Sequence, residues 1–416
     1  MFEEPLRGEP ERLPTGFNVP VLVDRDLKVI AGHGRVLACR LLGWSEVPTI
    51  ALEHLSEAQA RAFMIADNRL TENSVWDDHL LAEHLKELSV LELDFNLEAT
   101  GFEMGEIDLR IENLNSELQT KEDPADTMSP STDAPAVTRT GDVWKLEDQT
   151  VCCGNAVNKH SYETLMGKKK AAMMFADFPY NLPIAGNVSG FGTNHHREFP
   201  MASGEMSANQ FTAFLTDTCI CAARHTVPGA VLFGCMDWRH FVELRTAGNA
   251  AQLELLNVCV LAKSSAGMGS LYRSQYELVF VFRNGCKSHR NNIQLGRFGR
   301  DRSNLWHYSG AAGLRASEEG NLIALHPTVK PVAMIADAIM DVSSRGDIVL
   351  DPFLGSGTTI IAAERTGRRC YGIEMDPLYV DTTIRRWQVY TRGTARHASG
   401  RTFNEIEAEV RDSHAK

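Results

Sequence analysis

The chain has 416 residues, 43% of them hydrophobic and 23% charged, with a formal net charge of −12. That length predicts two or more domains, the composition is that of a soluble globular protein, and the acidic balance argues against a surface coated in nucleic acid. No apolar run reaches membrane-spanning length, and nine cysteines without a CxxC pair read as buried reduced thiols of a cytoplasmic protein with no metal site.

Residues 1–17 are polar and proline-bearing, and the acidic start is no signal peptide. Residues 20–24 and 28–31 read as a hairpin, followed by the turn Gly32-His33-Gly34-Arg35 and a helix over 35–42 that stops at Gly43. A short strand over 47–50 precedes a helix capped by Ser56 and running to Ile65, then Ala66-Asp67-Asn68-Arg69. A further amphipathic helix covers 77–88. In the turn, two glycines expose backbone N–H groups and Arg35 has the fork geometry for a phosphate. These strings resemble the ParB/sulfiredoxin-like domain, in which Gly32, His33, Gly34 and Arg35 would line a phosphate or nucleotide pocket. The family carries one more strand and helix at the front, so this domain, placed at 1–113, is expected to be N-terminally truncated.

Residues 114–138 are rich in Pro, Ser, Thr and Asp and predict a flexible linker. Order is expected again from Gly141, with strands over 141–146 and 151–155. An apolar run over 171–176 ends in Asp177-Phe178-Pro179-Tyr180-Asn181. Residues 182–208 lack pattern and read as a mobile loop that closes over substrate. A helix over 209–225, a strand over 229–233, a helix over 241–247 and strands over 255–261 and 276–282 follow. Between Lys263 and Arg302 basic residues outnumber the two acids, Glu277 and Asp301. Residues 283–325 interleave Arg, Asn and Gly with Phe298, Trp306 and Tyr308, the composition of a nucleic-acid contact surface. On it Arg283, Arg290, Arg297, Arg300 and Arg302 are the expected DNA contacts. Alternating strands and helices predict an α/β fold, a doubly wound and mostly parallel sheet over 139–395, with a polar tail over 396–416 that frays.

The most informative stretch comes late. Ile348-Val349-Leu350 reads as a buried strand, Gly355-Ser356-Gly357 as a tight turn, and Thr358-Thr359 as the start of a helix. Strand, glycine turn and helix N-terminus together gather N–H groups and an acid, Asp351, round a small polar ligand. Glu374, ending the next strand, suits two ribose hydroxyls. The loop lacks both the GxGxxG spacing of a nicotinamide site and the lysine of a P-loop.

With Asp177-Phe178-Pro179-Tyr180 upstream and His326-Pro327-Thr328-Val329-Lys330-Pro331 just ahead of it, Asp351-Pro352-Phe353-Leu354-Gly355-Ser356-Gly357-Thr358-Thr359 resembles the S-adenosylmethionine-dependent DNA amino-methyltransferases. Catalytic motif first and cofactor loop last is similar to their permuted β group. The Gly141-Asp142-Val143-Trp144 entry resembles phage and prophage members with this domain order. The resemblance implies a Rossmann-like methyltransferase domain and double-stranded DNA as partner. It gives Asp177, the backbone carbonyl at Phe178, Pro179 and Tyr180 to catalysis, with Asn181 a weaker candidate. It gives Asp351, Phe353, Gly355, Ser356 and Gly357 to the methionine side of the cofactor, Thr358, Thr359, Thr328 and Lys330 to its carboxylate, and Glu374 to the ribose. Phe178 stands where the family carries proline. Aspartate at 177 favours adenine N6 over cytosine N4, and the rival expectations are an RNA or protein methyltransferase and a DNA-binding protein with a decayed site. The sequence leaves open the recognition site, a homodimer and a cognate restriction nuclease.

Overall fold

Short β-branched runs set the first unit. The computed structural model describes residues 18–72, 76–91, 93, 95–116, 135–181, 204–263, 271–297, 300–308 and 330–414. The chain divides into Met1–Asn115 and Ser116–Lys416. In the first, β1 (Val21–Val23) pairs antiparallel with β2 (Val29–Ala31) and parallel with β3 (Thr49–Ala51). The crossover between them contains α1 (His33–Leu41). α2 (Glu57–Glu72) continues through Ala66-Asp67-Asn68-Arg69, past the expected end at Ile65. α3 (Asp78–Ser89) is capped by the Asp77 side chain, which accepts from Leu80 N at 3.0 Å. It packs on α4 (Met104–Ser116) through Leu81, Leu85, Ile107 and Ile111.

The second unit is one ten-stranded sheet with helices on both faces. In chain order its elements are β4 (Val143–Leu146), β5 (Gln149–Cys153), α5 (Lys159–Met166), β6 (Ala171–Asp177), α6 (Ala208–His225), β7 (Thr226–Met236), α7 (Phe241–Ala250), β8 (Leu253–Ala262), β9 (Tyr276–Asn284), β10 (Leu305–His307), α8 (Val332–Val342), β11 (Ile348–Asp351), α9 (Thr358–Thr366), β12 (Arg369–Glu374), α10 (Pro377–Thr391), β13 (Arg396–His397) and α11 (Phe403–His414). The strand order is β10-β8-β9-β7-β6-β11-β12-β5-β4-β13. The centre, β7-β6-β11-β12-β5, is parallel throughout. Antiparallel partners flank it: β9 and β8 on one side, β4 and β13 on the other.

Burial on both faces explains why the central strands read as unbroken apolar runs. Met173 and Phe175 of β6 enter the core under α8 and α9, while Met174 and Ala176 point the other way, into the core that holds Phe211 and Leu215 of α6. The chain leaves β6 for β7 on one side and β11 for β12 on the other. The strand order therefore switches between β6 and β11, where such sheets open a crevice at their carboxyl ends.

The tail does not fray. Arg396 and His397 pair with Lys145 and Trp144 of β4, and α11 covers that edge. Phe403 is fully buried, its ring 5.3 Å from Trp144. The surface-heavy composition of 396–416 hid this, because one buried aromatic anchors an otherwise polar helix.

Candidate active site

Three adjacent parallel strands each end in an acid: Asp177 on β6, Asp351 on β11 and Glu374 on β12. Strand ends at a switch point present side chains to the crevice, so these carboxylates share one rim.

At Asp351 the chain closes on itself. One carboxylate oxygen accepts from Phe353 N at 2.9 Å and the other from the Thr359 hydroxyl at 2.5 Å. Burial, partly offset by those two donors, pushes the group up to about 7. The turn that follows needs glycine: Gly355 and Gly357 have φ of 54° and 84°. A Cβ at Gly357 would also lie 2.7 Å from the Thr383 methyl group. Thr383 in turn donates to Gly355 O at 3.0 Å. Glu374 accepts from Gly355 N and from Asp376 N, both at 2.8 Å, and burial lifts it to about 7 as well. Strand end, glycine turn, helix start and a buried carboxylate make a cradle of the kind that fits an adenosyl cofactor. The Thr358 and Thr359 hydroxyls, expected near the cofactor carboxylate, turn inward instead. Thr358 accepts from Arg386 at 3.0 Å, and Thr359 serves Asp351. Arg386 also donates to Ser356 O at 3.2 Å. Thr328 lies outside the described residues.

At Asp177 the surroundings are ionic. Lys330 Nζ donates to both carboxylate oxygens, at 2.8 and 2.7 Å. The expectation that Lys330 sits with the cofactor group is thus corrected: its ammonium is drawn to the catalytic-motif acid, with Glu277 3.1 Å away on the other side. The Tyr180 hydroxyl lies 3.1 Å from Asp177 Oδ1 and 3.1 Å from Glu277 Oε2. Glu277 Oε1 meets Lys263 at 2.5 Å. Glu277 and Lys263 had carried no role in the sequence reading. The only signal was an acid set in an apolar strand, Tyr276-Glu277-Leu278-Val279.

Phe178, in the proline position, is buried. Its ring fills the space beside Gly234 of β7, where a Cβ would come 2.8 Å from Phe178 Cε2. It also packs on Phe353 of the glycine loop, with centroids 5.3 Å apart. Pro179 completes the turn. Asn181, at φ 49°, accepts from Gly204 N and Met206 N at 3.2 Å each and donates to Met206 O at 2.8 Å. Its amide therefore ties down backbone.

The expected DNA-contacting arginines divide. Arg290 and Arg297 are exposed, Arg297 donating to Gln294 Oε1 at 3.1 Å. Arg283 ion-pairs with Glu254 across the β9–β8 ladder. Arg300 and Arg302 are corrected outright, for both turn inward to α8. Arg300 reaches Asp337 at 3.2 Å and Asp341 at 3.0 Å, and Arg302 reaches Asp337 at 2.7 Å and Asp341 at 2.8 Å. Two acids one turn apart on a helix attract the guanidinium groups more strongly than solvent holds them. In the first unit Arg35 likewise folds back, donating to Val19 O at 2.8 Å and Pro20 O at 3.2 Å, and its guanidinium occupies the space above Gly32. His33 and Gly34 begin α1 as exposed residues. Arg35, expected to fork onto a phosphate, thus lies against Gly32 with its guanidinium on backbone carbonyls. Among the described residues no group of His, Cys, Asp and Glu is arranged to hold a metal ion.

Residues 171–385, just over half of the chain, match the N6/N4 DNA methylase family model. The chain belongs to the DNA methylase family. The chain also matches a ParB-methyltransferase HTH domain over residues 79–140, which takes in α3, α4 and the segment read as a linker. It is 44% identical over 70 residues to the DNA adenine methyltransferase YhdJ of Escherichia coli K12, which is 17% of this chain and 24% of that protein. It is 43% identical over 61 residues to the type II methyltransferase M2.DpnII of Streptococcus pneumoniae, 15% and 23% of the two chains. The chain therefore spans about a quarter of the length of these curated relatives. Among solved structures it resembles the M1.HpyAVI–SAM complex, with TM-score 0.42 and 17% identity over 57% of this chain and 97% of that one. It also resembles the cytosine-N4-specific PvuII DNA methyltransferase, with TM-score 0.44 and 14% identity over 67% and 95%.

Proposed function

We propose that this methylase transfers a methyl group from S-adenosylmethionine to the exocyclic N6 of adenine in double-stranded DNA, at a base turned out of the helix. The observation that carries the reading is Asp177, an acceptor-only side chain that ends β6 at the same rim as the glycine-turn cradle and Glu374. The curated relatives matched over 70 and 61 residues, one of them named an adenine methyltransferase, support the choice of base.

An exocyclic amine is a poor nucleophile because its lone pair is delocalised into the ring. Asp177, with the carbonyl of residue 178, accepts its N–H groups and favours the tetrahedral form. Tyr180 stacks beside the extruded base. Asp351 and Phe353 hold the cradle, and Glu374 accepts the ribose hydroxyls. The donor supplies a methyl on a sulfonium: the N–C bond forms as the S–C bond breaks, and sulfur keeps the electron pair. The amino nitrogen then sheds one proton, and Asp177 takes it.

Double-stranded DNA as partner is supported by the HTH match and by exposed side chains near the carboxyl edge. Trp238 with Arg239 stacked on it follows β7, and Tyr272 and Tyr276 lie just before and at the start of β9. On this reading the protein works in the cytoplasm, as a modification enzyme with or without a partner nuclease. Labelled S-adenosylmethionine and unmethylated DNA, followed by nucleoside mass analysis, test it. Wild type is expected to yield N6-methyladenine, and Asp177→Ala to lose activity on the order of 10³-fold. N4-methylcytosine would overturn the base assignment, and no methylated nucleoside at all would overturn the reading.

A further inference from the structure

Four charged side chains meet beside Tyr180 at the end of β6, and only Asp177 and Lys330 belong to motifs of the sequence. Glu277 is buried one residue from where Leu278 of β9 pairs with Met236 of β7. Its Oε2 receives Lys330 at 3.1 Å and faces Tyr180 at 3.1 Å, and its Oε1 receives Lys263 at 2.5 Å. Two carboxylates and two ammonium groups balance, which is the condition for keeping such charges out of water. Balance alone does not require this wiring. Lys330 sits on both oxygens of Asp177, the lone pairs an incoming amino group needs. Glu277 gives that ammonium a second acceptor within the same reach.

We propose that Glu277 is a positioning residue for the reaction: by sharing Lys330 it sets how much proton affinity, and how many lone pairs, Asp177 keeps for the amino group. The inference rests on the methyl-transfer reading. When the amine docks, Lys330 leans to Glu277 and the acceptor is released without a bare charge forming. The environments of the two acids agree with this division. Burial pushes Asp177 above its ordinary range, with Lys330 opposing and Glu277 adding to the rise. At Glu277 burial is overridden by Lys330 and then Lys263, which hold it down at about 2. The surroundings thus pull the two acids apart, Glu277 toward the anion and Asp177 toward the proton. The other groups facing Asp177 are Tyr180, Cys235 on β7 and Asp351 on β11.

The test pairs two substitutions of opposite sign. Glu277→Gln removes an anion and leaves Lys330 wholly to Asp177. The Asp177 midpoint should fall, the acidic limb of kcat/KM should move to lower pH, and kcat should drop on the order of 10²-fold with KM for the cofactor unchanged. Lys263→Met, at a half-exposed rim position, removes a cation. The midpoint and the limb should then rise. Carboxyl-carbon NMR, with Asp177→Asn for assignment, reads the midpoint independently of turnover. Midpoints that stay put, or that move the same way in both variants, overturn the proposal even if wild type methylates DNA. Opposite movements in a protein that methylates nothing would instead establish the control of Asp177 by Glu277 and sink the reading of the reaction.

Discussion

Phe178 shows how one departure from a motif is absorbed. Proline would leave a hole beside β7. Phenylalanine fills it only because residue 234 has no side chain, and its ring then touches Phe353 of the cofactor loop. Gly234→Ala should therefore overpack the site by about 1–3 kcal/mol, read as a fall in urea midpoint. Phe178→Leu in that background should recover part of the loss, because the two positions compete for one volume. A Gly234→Ala protein as stable as wild type would mean that the ring is free to move. The motif string was legible in the sequence, as were Asp351, the glycine turn and Glu374, because neighbours in sequence make them. Glu277 was not, because it stands 97 residues from Tyr180 and reaches it only through the antiparallel seat of β9 beside β7. No periodicity specifies that register. The Lys330 ammonium was assigned to the wrong partner for the same reason.

At the scale of elements, α8 is the clearest case of chemistry read with the wrong sign. It packs into the core through Val332, Ile335 and Ile339. Its two acids, Asp337 and Asp341, lock the chain on both sides of β10, through Arg300 and Arg302 before it and Tyr308 after it, whose hydroxyl is 2.5 Å from Asp337. Two of the five arginines that seemed to advertise DNA binding, Arg300 and Arg302, are thus the fasteners of an insert. Asp341→Asn leaves two buried guanidinium groups short of a charge. The expected loss is about 3–5 kcal/mol in chemical denaturation. Salt dependence of DNA binding should remain as in wild type, which a surface contact would not allow. A mild loss of stability with a shallower salt slope would return both arginines to the DNA interface. The short helix α5 went unseen because eight residues with little apolar periodicity carry too weak a pattern.

For the whole molecule, the doubly wound sheet was legible because buried parallel strands must be apolar on both faces. Its antiparallel flanks and the tail over 396–416 were less so. Removing residues 395–416 should expose Trp144, red-shift its emission and cost about 3–5 kcal/mol, the scale of deleting a buried aromatic. A truncated protein with unchanged emission and melting would show that the tail only rests on the surface. The sheet ends on one side in the two residues Arg396–His397 and on the other in the three residues Leu305–His307. An open strand edge is a template on which another chain can add, the first step toward fibrils and swapped assemblies, and short edges bearing charge deny it a foothold. Among the described residues both borders of the ten-stranded sheet are two or three residues long, so neither offers the long template on which a further strand would add.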